Sequence, residues 1–147
     1  GYLFNDEKEV IENAYLAKIP SHNSEEAINS AIIIALMIYY FRNGMSKLDA
    51  YKKLKLTIKY EPFIKFNTTC HETLNNCLYA LYKSNSFEDA IRKTLLMGGD
   101  TDTNCCIVGG VAEALYGMND EETADAEANL PKKYLKILAK AYSWNSE

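Results

Sequence analysis

The chain has 147 residues, of which 48% are apolar and 24% are charged, and its formal net charge at pH 7 is −4. This length predicts one domain with its own core, and the ordinary composition excludes a disordered or collagen-like chain. The acidic balance argues against a nucleic-acid partner, because such a partner requires a basic face.

Four cysteines, at positions 70, 77, 105 and 106, and two histidines are present, and they lack the spacing of a zinc site. We therefore expect free thiols, as in the reducing cytoplasm. The sequence from Gly1 onward has no signal-peptide pattern. The apolar run 31–41 is too short to cross a bilayer, so no membrane partner is predicted.

Helical periodicity predicts two helices in the first third of the chain. The first covers 6–18 and ends before Pro20, since a proline disfavours helix in the residue that precedes it. The second runs from Ser24 to Arg42 and is apolar on nearly every side, which is typical of a buried, central helix. Gly44 is expected to end it.

A third helix is predicted from its cap at Ser46 to about Ile58, followed by a loop from Lys59 to Asn67 that contains Pro62. Its lysines are expected to form a solvated face. They are Lys47, Lys52, Lys53 and Lys55.

Two further helices are predicted over 69–82 and from a capping-box-like sequence at Ser86 to about Met97. The inward face of the second is expected to consist of Ala90, Ile91, Leu95 and Leu96.

The last third of the chain predicts three more helices, over 103–116, 120–129 and 131–143. The first of these contains Gly109 and Gly110, which we expect to permit close approach by neighbouring helices and to make it a second central helix. No alternating strand pattern longer than a few residues is found, so the predicted class is all-α, with about six to eight helices.

The stretch Gly98–Thr103 has the highest density of oxygen ligands in the chain. Its two glycines allow a sharp turn, in which Asp100 and Asp102 can point at one place while Thr103 adds a hydroxyl. Such hard ligands suit magnesium or calcium and not zinc. The N-terminus of the following helix favours a phosphate, so a nucleotide-derived substrate is indicated.

Simpler interpretations exist for each of these residues. Aspartate and threonine before a helix are often plain N-caps, and a single histidine such as His22 can be a surface or capping residue. Cys70 and His71 do not form a nucleophile–base pair, because adjacent side chains on a helix do not face each other.

The string Gly98-Gly99-Asp100-Thr101-Asp102-Thr103, followed by a helix rich in glycine and alanine, resembles the C-terminal signature of the ADP-ribosylglycohydrolase family. The segment Ser21–Ala27, at the start of the apolar helix, resembles the family's central histidine segment. The segment Phe87–Arg92 resembles the helix that leads into the family's metal loop. The resemblance extends over almost the whole chain and implies a compact orthogonal helical bundle.

The resemblance also implies a function. Family members hold two magnesium ions, and Asp100, Asp102 and Thr103 match the motif positions that bind them, while His22 matches a position that lines the ADP-ribose cleft. The implied reaction is hydrolysis of the glycosidic bond between ADP-ribose and a modified protein side chain. The implied partner is therefore an ADP-ribosylated protein or ADP-ribose itself.

The chain matches only the C-terminal half of the family pattern. The family's N-terminal half supplies a threonine, two adjacent aspartates, a glutamate and a glycine-rich loop, none of which is found here. Three interpretations follow. The chain is part of a hydrolase completed by a longer chain, a homodimer or a complementing chain; it is an inactive remnant that binds ADP-ribose or a protein; or it is an unrelated helical module. We assign no catalytic residue.

Overall fold

The computed structural model describes residues 1–59 and 69–143, which form eight α-helices and no strand. The helices are α1 (Glu7–Lys18), α2 (Glu25–Arg42), α3 (Lys47–Lys53), α4 (Cys70–Lys83), α5 (Phe87–Met97), α6 (Thr101–Tyr116), α7 (Asp120–Asn129) and α8 (Lys132–Ser143). The predicted all-α class is confirmed. The predicted loop from Lys59 to Asn67 lies, except for Lys59 itself, outside the described residues.

Side-chain caps fix several helix starts where the sequence places them. Ser24 Oγ accepts a hydrogen bond from Ala27 N at 3.2 Å, and Ser86 Oγ accepts one from Asp89 N at 3.1 Å. The reciprocal half of the predicted capping box differs, because the Asp89 carboxylate accepts from the backbone N–H of Asn85 and not from that of Ser86.

The third helix is shorter than predicted, since α3 ends at Lys53 and not near Ile58. Lys55 adopts a left-handed backbone with a φ of 53°, and Leu56 N donates to Tyr51 O at 3.0 Å. This is the hydrogen-bond pattern that ends many helices at a glycine. Here a lysine takes the glycine's position, so the sequence gives no stop signal.

Lys47 was predicted to lie on a solvated face, and this prediction is wrong. Its Nζ donates to Ser84 O at 2.6 Å, to Leu81 O at 3.3 Å and to Tyr116 Oη at 3.0 Å. A lysine near a helix C-terminus stabilises carbonyl groups that lack an intrahelical partner. Lys47 therefore joins α3 to the ends of α4 and α6.

The predicted inward face of α5 is wrong at its C-terminal end. Leu95 and Leu96 are 53% and 87% exposed, whereas Thr94 is 2% exposed. The Thr94 hydroxyl donates to Ala90 O at 2.8 Å, so this polar side chain is buried without losing its hydrogen bond.

Helix α6 packs against α2, α4 and α5, which confirms its predicted central position. Val108, Val111 and Ala112 are buried there. The predicted reason for its two glycines is wrong at Gly110, because a Cβ at that position would meet no atom within 4 Å. At Gly109 a Cβ would lie 3.6 Å from Ile91 Cδ1, which is ordinary contact.

The segment before α1 is attached to the C-terminal end of α2. The Arg42 guanidinium donates to Tyr2 O, to Phe4 O at 2.8 Å and to Asn5 Oδ1 at 2.7 Å. Tyr39 Oη adds a hydrogen bond to Asn5 O at 3.2 Å. One arginine thus binds three groups, from Tyr2, Phe4 and Asn5, of an otherwise irregular segment.

Helices α7 and α8 lie on the surface, and α7 begins with a complete capping box between Asn119 and Glu122. No helix among residues 1–59 and 69–143 combines the length and apolar character needed to cross a membrane.

Candidate functional site

A groove of about 550 Å³ lies between α1, α2, α4 and α6. One face of α2 forms its floor, with residues three or four positions apart, as expected for a single helix face. The floor residues are Ala27, Ser30, Ala31, Ile34, Ala35 and Ile38. The walls come from α1, α4 and α6 and from three residues outside these helices. They consist of Ala14, Ala17 and Lys18 from α1, Cys70, Thr73 and Leu74 from α4, Thr103 and Ile107 from α6, and Gly1, His22 and Asp100.

Three of the four predicted site residues line this groove, namely His22, Asp100 and Thr103. The first turns of α2, α4 and α6 all contribute to the same groove, through Ala27, Cys70 and Thr103. Helix N-termini carry a partial positive charge. Here the N–H groups of Ala27, His71 and Thr103 already donate to the side chains of Ser24, Glu26 and Asp102.

The glycine pair produces the predicted sharp turn between α5 and α6. Gly98 and Gly99 have φ values of 74° and 76°, a backbone region that residues with a side chain rarely adopt. The turn is shorter than predicted, however, because α6 already begins at Thr101. Asp102 and Thr103 therefore lie in the first turn of the helix and not in a loop.

The carboxylate of Asp100 occupies the N-cap position of α6 but makes no capping hydrogen bond. Asp102, which is exposed and does not line the groove, accepts a hydrogen bond from Thr103 N at 2.9 Å through Oδ1. The pKa of Asp102 is lowered, first by a hydrogen bond with the Asp100 side chain and then by the Thr103 N–H. The two carboxyl groups are thus close neighbours.

These groups fit part of a magnesium site. Two adjacent carboxyl groups, one of them without a capping role, and a nearby threonine hydroxyl are hard oxygen donors of the kind that magnesium prefers. Within the part of the chain that the structure describes, no three histidine, cysteine, aspartate or glutamate side chains are grouped to hold a metal. The described residues therefore offer only part of the set of donors that a magnesium ion takes.

A carboxylate from α2 completes the start of α4, which the sequence did not predict. Thr69 is the N-cap of α4 but its side chain makes no capping hydrogen bond, and Glu26 Oε1 accepts a hydrogen bond from His71 N at 2.6 Å. The bond holds the N-termini of α2 and α4 together beside the groove. No local pattern reveals it, because the two residues are 45 positions apart.

The cysteines are free, as predicted. Cys77 is buried with its Sγ near Asn104, and burial raises the pKa of its thiol to about 12. A thiol with such a pKa stays protonated near neutral pH and is a poor nucleophile. Cys70 lines the groove. The backbone N–H of the next residue, His71, donates its hydrogen bond to Glu26.

The comparison with protein families identifies the chain. The family model described as ADP-ribosylglycohydrolase matches residues 1–144. The chain belongs to the ADP-ribosylglycohydrolase family. The resemblance inferred from the GGDTDT string is therefore confirmed, and so is the family's all-α architecture in this chain.

Two curated relatives of this family member carry the name ADP-ribosylarginine hydrolase Tri1. The protein from Pseudomonas putida (strain GB-1) is 26% identical over 113 residues, which cover 67% of this chain and 30% of the relative. The protein from Serratia proteamaculans (strain 568) is 24% identical over 132 residues, which cover 80% of this chain and 34% of the relative. The chain thus matches about a third of the length of these relatives. No solved structure matches it significantly.

Proposed function

We propose that this chain forms the metal-binding part of a magnesium-dependent hydrolase that removes ADP-ribose from modified protein side chains. The observation that carries the proposal is the arrangement of Asp100. Its carboxylate lies at the start of α6 without a capping hydrogen bond, next to Asp102, and it lines the same groove as His22 and Thr103.

Asp100, Asp102 and Thr103 are the residues that would hold magnesium. When bound, the ion would supply positive charge that orients the ribose hydroxyls of ADP-ribose and positions a water molecule. The preorganised turn at Gly98 and Gly99 keeps the two carboxyl groups together before the ion arrives. The two carboxyl groups would then move little when magnesium binds.

The converging helix N-termini would bind the negative part of the substrate. The first turns of α2, α4 and α6 line one groove, and the partial positive charge of the helix starts would favour a phosphate there. His22 is exposed where α2 begins and is placed to contact the ligand from the rim. These residues would bind and orient the substrate, and none of them is assigned to the bond-breaking step.

The names of the two relatives point to ADP-ribosylarginine as the linkage that is hydrolysed. Because this chain matches about a third of each relative, complete activity requires groups that the described residues do not supply. A second candidate function is favoured by the same incomplete donor set. In that case the chain binds ADP-ribose or a protein without hydrolysing a bond.

Isothermal titration calorimetry with ADP-ribose, with and without magnesium, tests the proposal. We expect binding that depends on magnesium and is lost in Asp100→Asn, with Asp125→Asn on the distant helix α7 as the control. Equal binding with and without the ion, or unchanged binding in Asp100→Asn, would contradict the metal role.

Hydrolysis of an ADP-ribosylarginine peptide then separates the two candidate functions. Magnesium-dependent release of ADP-ribose supports the hydrolase. Binding without any release supports the binding protein.

A further inference from the structure

The turn between α1 and α2 brings two basic residues to the same groove. Pro20 has no backbone N–H, so the hydrogen bonds of α1 end before it. The carbonyl oxygen of Lys18 accepts hydrogen bonds from Ser21 N at 3.1 Å and from His22 N at 2.9 Å. This tight turn holds Lys18 and His22 near each other, and both residues line the groove.

Lys18 differs from the other partly buried lysines among the described residues. These lysines are Lys18, Lys47 and Lys93. Lys47 donates to oxygen atoms at the ends of α4 and α6, and Lys93 forms an ion pair with Asp89. The Lys18 ammonium makes no hydrogen bond or ion pair with any residue that the structure describes. Because a partly buried cation has lost some of its water, an anionic ligand stabilises it more than it would an exposed one.

The charges that line the groove are divided between two places. Among the described residues that line it, Lys18 is the only lysine or arginine and Asp100 is the only acid. Glu25 and Glu26, the acids in the first turn of α2, do not line the groove, and the Glu26 carboxylate accepts the hydrogen bond of His71 N. The cationic part of the groove therefore lies at the α1–α2 turn, and the anionic part lies at the start of α6.

This division fits a ligand that carries negative charge on one part and hydroxyl groups on another. A lysine ammonium is a compact charge with three donors and commonly binds phosphate oxygens. The Asp100 carboxylate repels a phosphate unless a metal ion lies between them. We infer that Lys18 binds the diphosphate of ADP-ribose, which places the diphosphate at the α1–α2 turn and the reacting ribose beside Asp100. The assignment rests on the proposed function, because ADP-ribose is the ligand in both.

A purely structural role for Lys18 gives different expectations. A lysine in the last turn of a helix interacts favourably with the helix dipole, so Lys18→Gln lowers stability slightly in either case. Stability thus does not separate the two roles. The affinity for a phosphate ligand does, because a lysine that only complements the dipole makes no contact with the ligand.

Titration with inorganic pyrophosphate, at low ionic strength and without magnesium, tests the contact through the chemical shifts of the backbone amides. We expect the amides of Ser21 and His22 to shift, and Lys18→Gln to weaken binding roughly 10-fold, since a hydrogen bond to a charged group is lost. Lys18→Arg should retain most of the affinity. The matched control is Lys8→Gln, which removes the same charge from an exposed position of α1 that does not line the groove. Absence of pyrophosphate binding by the parent chain overturns the inference.

Titration with ADP-ribose and magnesium then tests whether this anion site belongs to the substrate. Binding that is roughly 10-fold weaker in Lys18→Gln and unchanged in Lys8→Gln supports the inference. Magnesium-dependent binding that is equal in Lys18→Gln and the parent chain overturns it and leaves the proposed function standing. Equal losses in Lys18→Gln and Lys8→Gln also overturn it, since net charge alone then explains the effect.

Two further readouts complete the test. Pyrophosphate binding that depends on Lys18, without any binding of ADP-ribose, overturns the inference, because the site then serves another anion. Circular dichroism melts establish that each variant folds. Lys18→Arg, which keeps the charge, must bind more tightly than Lys18→Gln, and equal affinities of these two variants would contradict the contact.

Discussion

The side chain of Glu26 caps a helix other than its own, because its Oε1 accepts a hydrogen bond from the backbone N–H of His71, 2.6 Å away. Glu26 lies in the first turn of α2, and His71 lies in the first turn of α4. Thr69, which would ordinarily perform this role, makes no capping bond. The packing of two helix N-termini beside the groove thus relies on one carboxylate.

Replacing Glu26 by alanine should therefore destabilise the protein. By analogy with the loss of other N-caps, we expect a decrease of about 0.5–2 kcal/mol in the free energy of unfolding, measured by urea denaturation. Glu25→Ala is the control, because it removes a charge from the same turn of α2. Equal losses in the two variants would mean that the helix dipole and not the bond to His71 is responsible.

Asp6 and Asp100 occupy the same position on their helices but should respond differently to substitution. The Asp6 carboxylate accepts hydrogen bonds from Lys8 N at 2.9 Å and Glu9 N at 3.2 Å, whereas Asp100 makes no such bond. Asp6→Ala should therefore cost about 1 kcal/mol of unfolding free energy. Asp100→Ala should cost much less without magnesium while eliminating any rise in melting temperature that magnesium produces. A large loss for Asp100→Ala, with the magnesium response intact, would support a structural cap.

Two glycines should respond in opposite directions to alanine. Gly98 has a φ of 74° and a ψ of −152°, a conformation almost restricted to glycine, so Gly98→Ala should destabilise the protein by on the order of 1–3 kcal/mol. Gly110 is helical, and a Cβ there meets nothing within 4 Å, so Gly110→Ala should stabilise it by about 1 kcal/mol. Thermal and urea denaturation measure the change in stability of both variants. A destabilising Gly110→Ala would show that another part of the protein covers this position.

Glu113 should make stability depend on pH. Burial raises the pKa of this half-buried carboxyl on α6, so its charged form is disfavoured in the folded state. Its contribution is fully present below the unfolded pKa and is lost as the pH rises through the folded pKa. Glu113→Gln should therefore stabilise the protein at pH 7 relative to the parent chain, and the gain should shrink at pH 4. Leu96→Gln, at an exposed position of α5 where no titratable group is removed, should give no such difference between the two pH values.

Local signals in the sequence predicted most helix boundaries. Ser24, Ser86 and Gly44 begin or end helices where their chemistry predicts, because capping depends on residues only two or three positions away. The end of α3 was missed, since Lys55 takes a backbone conformation that glycine usually adopts. The partners of Lys47 were also missed, because they lie 34 to 69 residues further along the chain.

The candidate site was predicted only in part. His22, Asp100 and Thr103 were selected from the sequence, and the structure places them on one groove. The missing capping bond of Asp100 and the contact between its carboxyl group and that of Asp102 could not be read from spacing, since an aspartate before a helix normally caps it. The apolar floor was likewise not predicted from the sequence, because a helix that is apolar on all sides is expected to be completely buried.

The attachment of the first residues by Arg42 has a consequence for the order of events in folding. Its guanidinium joins groups that are 37 to 40 residues apart, whereas neighbouring helices can form from local contacts. Contacts across such a long loop form late in folding, because chain entropy must be lost before these contacts add to stability. Arg42→Met should consequently leave the refolding rate almost unchanged and accelerate unfolding. The lifetime of the native state, more than the speed of reaching it, would then depend on this one guanidinium.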